Sequence, residues 1–119
     1  MREYFVHEAV LAMDPGADLR APGGAVTLAL CGAWDHVPPC PLAAHHCRTR
    51  LRGPVARTRV VFTAEPEQEL RVRRLVDEAL SAGTLTDPQG VTSTWRLRGS
   101  KAAAPTARER ARGRRLAKG

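Results

Sequence analysis

The sequence predicts an α+β domain, a small and mainly antiparallel sheet of about four strands with one helix on one face. Two patterns support this prediction. Four segments carry the alternating or β-branched apolar residues of strands, and they are residues 4–13, 25–31, 55–63 and 91–98. A single segment between the last two strands has the period of an amphipathic helix. The order β-β-loop-β-α-β, within 119 residues, is typical of one small domain.

The second predicted strand shows the alternation most clearly. Val26, Leu28 and Leu30 lie on one side of an extended chain, and the intervening residues lie on the other. Residues 14–16 and 22–24 are rich in proline and glycine, and they predict turns that separate this strand from the first one.

The stretch from Pro66 to Gly83 is the predicted helix. Its apolar residues recur at i, i+3, i+4, i+7 and i+8, which places them on one face. They are Val72, Leu75, Val76, Ala79 and Leu80. Proline is tolerated in a first helical turn, and Gly83 is a natural C-terminal stop. Because one helix leaves the second face of the sheet open, we expect the irregular Pro/Cys/His loop within residues 32–52 to cover part of that face.

The positive charge of the chain is concentrated at its C-terminal end. The formal net charge is +7, but residues 1–100 hold 12 Arg against 11 Asp and Glu, whereas residues 101–119 hold seven Lys and Arg against Glu109. These seven cations are Lys101, Arg108, Arg110, Arg112, Arg114, Arg115 and Lys118. The composition predicts an α+β domain over residues 1–99 and a disordered basic tail over residues 100–119.

A basic tail on a nearly neutral domain indicates attraction to a polyanion, and we expect it to dock on nucleic acid or the ribosome. The alternative is a tail that only keeps the protein soluble. Thr106 and Glu109 have the spacing of a capping box, so residues 107–117 are expected to become helical against a partner.

The composition also bears on the cellular location. No apolar run approaches the roughly 20 residues of a membrane span, so no membrane partner is expected. His7 and Glu8 interrupt the N-terminal apolar stretch where a secretory signal would stay apolar, which predicts a cytoplasmic protein.

Three cysteines cannot all pair within one chain, and a reducing compartment disfavours disulfides. Metal binding, catalysis or simple burial are the remaining uses for these cysteines.

Six side chains of the type that binds zinc lie within 17 residues. They are Cys31, His36, Cys40, His45, His46 and Cys47. Zinc takes four thiolate or imidazole ligands in a tetrahedral arrangement. His36, Cys40 and His45 are spaced so that one compact, proline-stiffened loop supplies three ligands, with the fourth from Cys31, His46 or Cys47. The sequence therefore predicts a zinc site, although Cys31 is equally suited to be a small buried apolar residue.

The same run resembles a known family motif. The pattern Cys31-Gly-x-Trp34-x-His36-x-x-Pro39-Cys40, followed by His45 and His46, resembles a family of small uncharacterised proteins from high-GC bacteria. Residues 2–8 and 26–32 add to the resemblance, which covers residues 2 to about 98. It implies that Cys31, His36, Cys40 and His45 belong to the family motif and that Cys47 departs from it. The resemblance implies no activity or substrate.

These observations predict a small zinc-binding accessory protein whose basic tail docks on nucleic acid or the ribosome. Two alternatives stay open. In an enzyme, Cys40 beside His36 or His45 would form a thiolate–imidazolium pair, or a metal with an open position would activate water. In a metal-sensing or buffering protein, exposed thiolates and imidazoles would also accept Cu(I).

Overall fold

The computed structural model describes residues 2–32 and 43–118. Within these ranges the chain has an α+β fold with five antiparallel strands in one sheet and three α-helices. The strands are β1 (Glu3–Met13), β2 (His45–Arg52), β3 (Val55–Ala64), β4 (Thr84–Thr86) and β5 (Thr92–Ala103). The helices are α1 (Ala21–Cys31), α2 (Glu69–Ala82) and α3 (Ala107–Lys118). The order across the sheet is β2-β3-β1-β5-β4, which makes β1 the central strand and β2 an edge strand.

Three of the predicted strands and the predicted helix are present. β1 and β3 contain the segments at 4–13 and 55–63, β5 contains the segment at 91–98 except for Val91, and α2 follows a short 3-10 turn at Pro66–Gln68. The helix ends at Gly83, whose φ of 69° is the left-handed conformation that glycine favours. The N–H of Gly83 donates to the carbonyl oxygen of Leu80, so the last turn of the helix is closed.

The predicted strand at residues 25–31 is wrong, because these residues lie in α1. Pro22 stands in the first turn of this helix, where its missing N–H costs nothing. Gly32 ends it with a φ of 77° and donates its N–H to the carbonyl oxygen of Leu28, 2.8 Å away. A short apolar run fits a buried helix as well as a strand, and periodicity alone does not separate the two.

Strand β2 lies in the segment that was expected to be irregular. A half-buried strand alternates polar and apolar residues. Arg48, Arg50 and Arg52 supply the polar face, but Thr49 and Leu51 between them do not make a clear apolar face. The pattern therefore gave no strand signal. β2 pairs with β3 through eight residue positions, from His45 opposite Phe62 to Arg52 opposite Val55.

The two faces of the sheet are covered differently. α1 and α2 cover what we call the inner face, where the apolar core lies. The core includes the buried side chains of Leu11, Val26, Phe62, Leu80 and Trp95. The indole N–H of Trp95 donates to the carbonyl oxygen of Leu80 at 2.9 Å, so this buried polar group is satisfied. α3 packs against β1 and β3 on the opposite, outer face.

The expected disordered tail differs from the structure, since residues up to Ala103 continue β5 and the next residues form α3. The capping box forms: the N–H of Thr106 donates to Glu109 at 2.9 Å, and the N–H of Glu109 donates to the Thr106 hydroxyl at 3.1 Å. Gly113 is buried against Tyr4, where any β-carbon would lie 2.4 Å from the aromatic ring. α3 thus covers the face that the irregular loop was expected to cover, and its contacts with the sheet do not depend on apolar side chains that a sequence pattern would reveal.

Candidate nucleic-acid interface and Cys/His site

A groove of about 720 Å³ runs between α3 and the outer face of β2 and β3. Seven arginines line it, from three different elements. They are Arg48, Arg50 and Arg52 from β2, Arg57 and Arg59 from β3, and Arg108 and Arg112 from α3. Glu109 is the one carboxylate among the described residues that line this groove. We call this surface the arginine groove.

Strand geometry explains why the arginines of β2 and β3 share one face. Side chains at alternate positions of a strand point to the same side, and both strands carry arginine at every second position here. The pairing register places Arg48 opposite Arg59 and Arg50 opposite Arg57. Like charges directly opposite each other across a ladder are destabilising. The arrangement therefore favours an anion between them.

Part of this charge is neutralised within the protein. Glu8 contacts Arg57 at 2.6 Å and Arg59 at 2.7 Å. Glu109 pairs with Arg59 through two hydrogen bonds, at 2.7 Å to Nε and 2.8 Å to Nη2. The hydrogen bonds from Arg59 hold the pKa of the Glu109 carboxyl below its usual value, and those to Glu109 raise the pKa of the guanidinium.

The rest of the groove keeps its positive charge. Within residues 2–32 and 43–118, five groove arginines make no ion pair with a carboxylate. They are Arg48, Arg50, Arg52, Arg108 and Arg112, and all five are exposed. Their charge is available to an external anion.

The cations predicted from the tail divide between several places. Arg108 and Arg112 line the arginine groove, whereas Arg114 and Lys118 line a separate shallow recess beside Tyr4. Lys101 lies in β5, and Arg110 and Arg115 are exposed on α3 outside both surfaces.

Sequence reasoning missed the five arginines of β2 and β3. The signal that would have found them is the alternation in Arg48-Thr-Arg-Leu-Arg52 and Arg57-Thr-Arg59, which puts charge on one face of a hairpin.

The structure brings together two of the residues predicted to bind metal. Cys31 ends α1 and His45 begins β2, and the distance from Cys31 Sγ to His45 Nδ1 is 3.8 Å. His45 Nδ1 donates to the carbonyl oxygen of Ala43 at 3.0 Å, because a carbonyl only accepts. Nε2 then accepts from the Thr27 hydroxyl at 3.0 Å. Cys31 is disulfide-bonded, and the other predicted ligands His36 and Cys40 lie outside the described residues.

His46 and Cys47 occupy different environments. His46 points to the outer face, and burial, followed by the charges of Arg112, Arg48 and His45, lowers its pKa. Cys47 points inward and packs against α1 at Gly23, where burial raises the pKa of the thiol to about 12. A thiol with this pKa stays protonated at neutral pH.

No group of three or more His, Cys, Asp or Glu side chains that could hold a metal ion is found in the described part of the chain. No helix in that part is long and apolar enough to cross a membrane.

No family model, curated protein or solved structure matches the chain. The family resemblance of the Cys/His run stays a prediction, and function is inferred from the geometry.

Proposed function

We propose that this protein binds nucleic acid through the phosphodiester backbone, in the arginine groove. The observation that carries the proposal is the convergence of five arginines without carboxylate partners, from two elements of the fold, on one concave surface. The predicted docking of the basic tail on nucleic acid or the ribosome becomes more specific, since α3 supplies one wall of the groove and the β2–β3 hairpin supplies the floor.

The chemistry of the lining favours phosphate over other anions. A guanidinium presents two parallel N–H donors that match two oxygens of a phosphate. Residues directly opposite each other across an antiparallel pair have β-carbons about 4.5–5.5 Å apart. Arg59, opposite Arg48, already pairs with Glu8 and Glu109, so the donors for phosphate are the five groove arginines without carboxylate partners.

The lining also indicates what is not recognised. Sequence-tolerant binding of bases uses aromatic side chains as stacking platforms. Among the described residues that line the groove there is no Phe, Tyr or Trp. We therefore propose recognition of the backbone with little preference for sequence.

The salt dependence of binding tests this function. Fluorescence anisotropy with labelled RNA should give an affinity that falls as salt rises, with a log–log slope of about −3.5 if five phosphates are contacted at ~0.7 each. Replacing Arg48 and Arg50 by glutamine should weaken binding at least several-fold. The matched control replaces Arg96 and Arg98, which are exposed on β5 outside the groove. Binding that ignores salt, or that responds equally to both double variants, would contradict the proposal.

A second candidate function is zinc binding at the start of β2, favoured by the 3.8 Å separation of Cys31 Sγ and His45 Nδ1. With His36 and Cys40 as the further predicted ligands, zinc would tie the end of α1 to the edge strand that carries the groove arginines. Reduction of the Cys31 disulfide is a precondition, and a cytoplasmic location keeps thiols reduced. On zinc binding, the His45 nitrogen that acts as ligand has to give up its present hydrogen bond.

Metal analysis of the reduced protein tests this candidate. We expect about one zinc per chain, by analogy with structural zinc sites. His45→Ala should abolish zinc binding, and the control His46→Ala should retain it, because His46 points to the outer face. Reduced protein that binds no zinc would remove this candidate and leave the disulfide as the functional form of Cys31.

A further inference from the structure

The arginine groove has a shape and a charge spacing that select among nucleic acids. We infer that its ligand is one nucleic-acid strand rather than a duplex, lying along β2 with successive phosphates on Arg48, Arg50 and Arg52. This inference rests on the proposed function and adds the class of ligand to it.

The available positive charge repeats at a fixed spacing along β2. Arg48 and Arg50 make no ion pair with a carboxylate in the described part of the chain, whereas the arginines opposite them on β3 pair with Glu8. Arg48 and Arg50 are separated by two residues along an antiparallel strand, a rise of about 6.8 Å at ~3.4 Å per residue. This separation is comparable to that between successive phosphates of a single extended strand. Arg52, two residues further on, continues the same row at the exposed end of β2.

The floor of the groove is narrow. α3 is held on the outer face by the Arg59–Glu109 pair and by the close contact of Gly113 with Tyr4. Because α3 packs on β1 and β3, the uncovered floor between α3 and the sheet edge is at most two strands wide, roughly 10 Å at ~4.8 Å per strand. The two grooves of B-form DNA alone measure about 12 Å and 6 Å across. A duplex would have to rest on the rim and reach few of the arginines, whereas one strand fits beside the helix.

Strand β2 also offers backbone donors, because it is an edge strand. Among the described residues no strand lies on its outer side, so the N–H groups that point outward have no ladder partner there. Backbone N–H groups are common donors to phosphate oxygens. A strand of nucleic acid that follows β2 has access to these donors along its length, in addition to the guanidinium groups.

A comparison of strandedness tests the inference with the full-length protein. The probe is a labelled RNA strand of roughly 12 nucleotides without self-complementarity, within the site sizes usual for single-strand binding folds. The same labelled strand annealed to its complement is the duplex probe for comparison. We expect the single strand to bind about tenfold more tightly than the duplex at equal salt, because the duplex should place roughly two fewer phosphates on the arginines.

Substitutions of arginine by glutamine show which arginines cause the preference for a single strand. Arg48→Gln with Arg50→Gln should reduce single-strand affinity about tenfold and leave the weak duplex binding nearly unchanged. Arg96→Gln with Arg98→Gln, the control of equal charge, should change neither. Duplex binding as tight as single-strand binding would overturn this inference while the proposed function stands. Failure of both RNA forms to bind would overturn both.

Discussion

The two faces of the sheet stabilise the protein in different ways. On the inner face, α1 and α2 bury an apolar core in which Phe62, Leu11 and Leu80 are fully excluded from solvent. On the outer face, α3 is held by the ion pair of Arg59 with Glu109 and by the fit of Gly113 on the sheet. The alternation of a β-strand lets one sheet do both, since neighbouring residues of β2 and β3 belong to opposite faces.

This difference between the faces indicates which surface can carry a ligand-binding site without loss of folding stability. Apolar burial on the inner face contributes most of the folding free energy. The five groove arginines without carboxylate partners contribute little to it, because they make no ion pair in the described part of the chain and neighbouring like charges are unfavourable. An outer face that carries these arginines is explained better by a ligand than by stability.

The largest expected effect is the loss of an inner-face side chain. Leu80→Ala removes a leucine with 0% exposure from α2 and should lower the free energy of unfolding by about 2–5 kcal/mol. Leu70→Ala in the same helix is the matched control, since Leu70 is 72% exposed, and it should change stability by less than about 0.5 kcal/mol. Urea denaturation measures both. Equal effects would mean that α2 does not bury the face described.

The next effect concerns the contact of α3 with the sheet. Gly113→Ala places a methyl group 2.4 Å from the Tyr4 ring, so the helix has to shift. Overpacking of this kind costs about 1–3 kcal/mol, and alanine gains roughly 1 kcal/mol over glycine inside a helix, so the free energy of unfolding should fall by up to about 2 kcal/mol.

The same variant should weaken RNA binding, because Arg108 and Arg112 move with the helix. Gly99→Ala is the control, since nothing lies within 4 Å of its added methyl group. Thermal denaturation and RNA anisotropy measure the two consequences. A Gly113→Ala protein that is more stable than the wild type would show that α3 does not pack on Tyr4.

A smaller effect is expected from the carboxylate inside the groove. Glu109→Gln removes the negative charge that occupies Arg59, yet glutamine keeps the side-chain acceptor of the capping box. RNA affinity should rise about two- to fivefold, because Arg59 becomes free to contact one more phosphate. The free energy of unfolding should fall by about 1 kcal/mol or less. Glu78→Gln on the exposed side of α2 is the control. Tighter binding by both variants alike would indicate a general charge effect without a role for Arg59.

The stability contribution of the Glu109 pair also has a pH dependence. Its pKa lies below the usual 4.5 in the folded protein because of the hydrogen bonds from Arg59. The contribution is therefore complete above the unfolded pKa and is lost as the pH falls through the folded one. Glu109→Gln should remove this part of the acid sensitivity.

Helices and strands whose apolar residues recur with a clear helical or strand periodicity were predictable from the sequence. Those that depend on contacts with the rest of the fold were not. α2 has an unbroken apolar stripe and a glycine stop, and β1, β3 and β5 carry β-branched or alternating residues. α1 is a short alanine-rich run that suits either structure, and its helix depends on packing against α2 and β2. β2 lacks a clear apolar face, because its inward side includes the polar residues His45 and Thr49.

The candidate sites differ in the same way. The density of Cys and His residues predicted a cluster, and Cys31 and His45 do lie together. The opposite orientation of His46 and the burial of Cys47 follow from a strand that was not foreseen. The basic residues of α3 were visible in the composition, but their partners on β2 and β3 were not. The packing of Gly113 on Tyr4 and the Arg59–Glu109 pair bring these two sets of arginines to one groove.

The smallest effect concerns His46, which lines the groove between β2 and α3. Burial, Arg112 of α3, and Arg48 and His45 of β2 lower its pKa below the usual 6.5. The unfolded chain then binds more protons in the window below 6.5, so stability is complete above that pH and decreases on acidification.

A bound phosphate favours protonated His46, which predicts that RNA binds a few-fold more tightly at about pH 5.5 than at about pH 7.5. Anisotropy titrations at the two pH values, with constant ionic strength, measure this difference. His46→Gln should bind RNA with nearly the same affinity at both, whereas His7→Gln, altered on the inner face against Asp77, should keep the wild-type dependence. If His46→Gln retained the full pH dependence, the RNA strand would not pass His46, and its path would be confined to the Arg50–Arg52 end of β2.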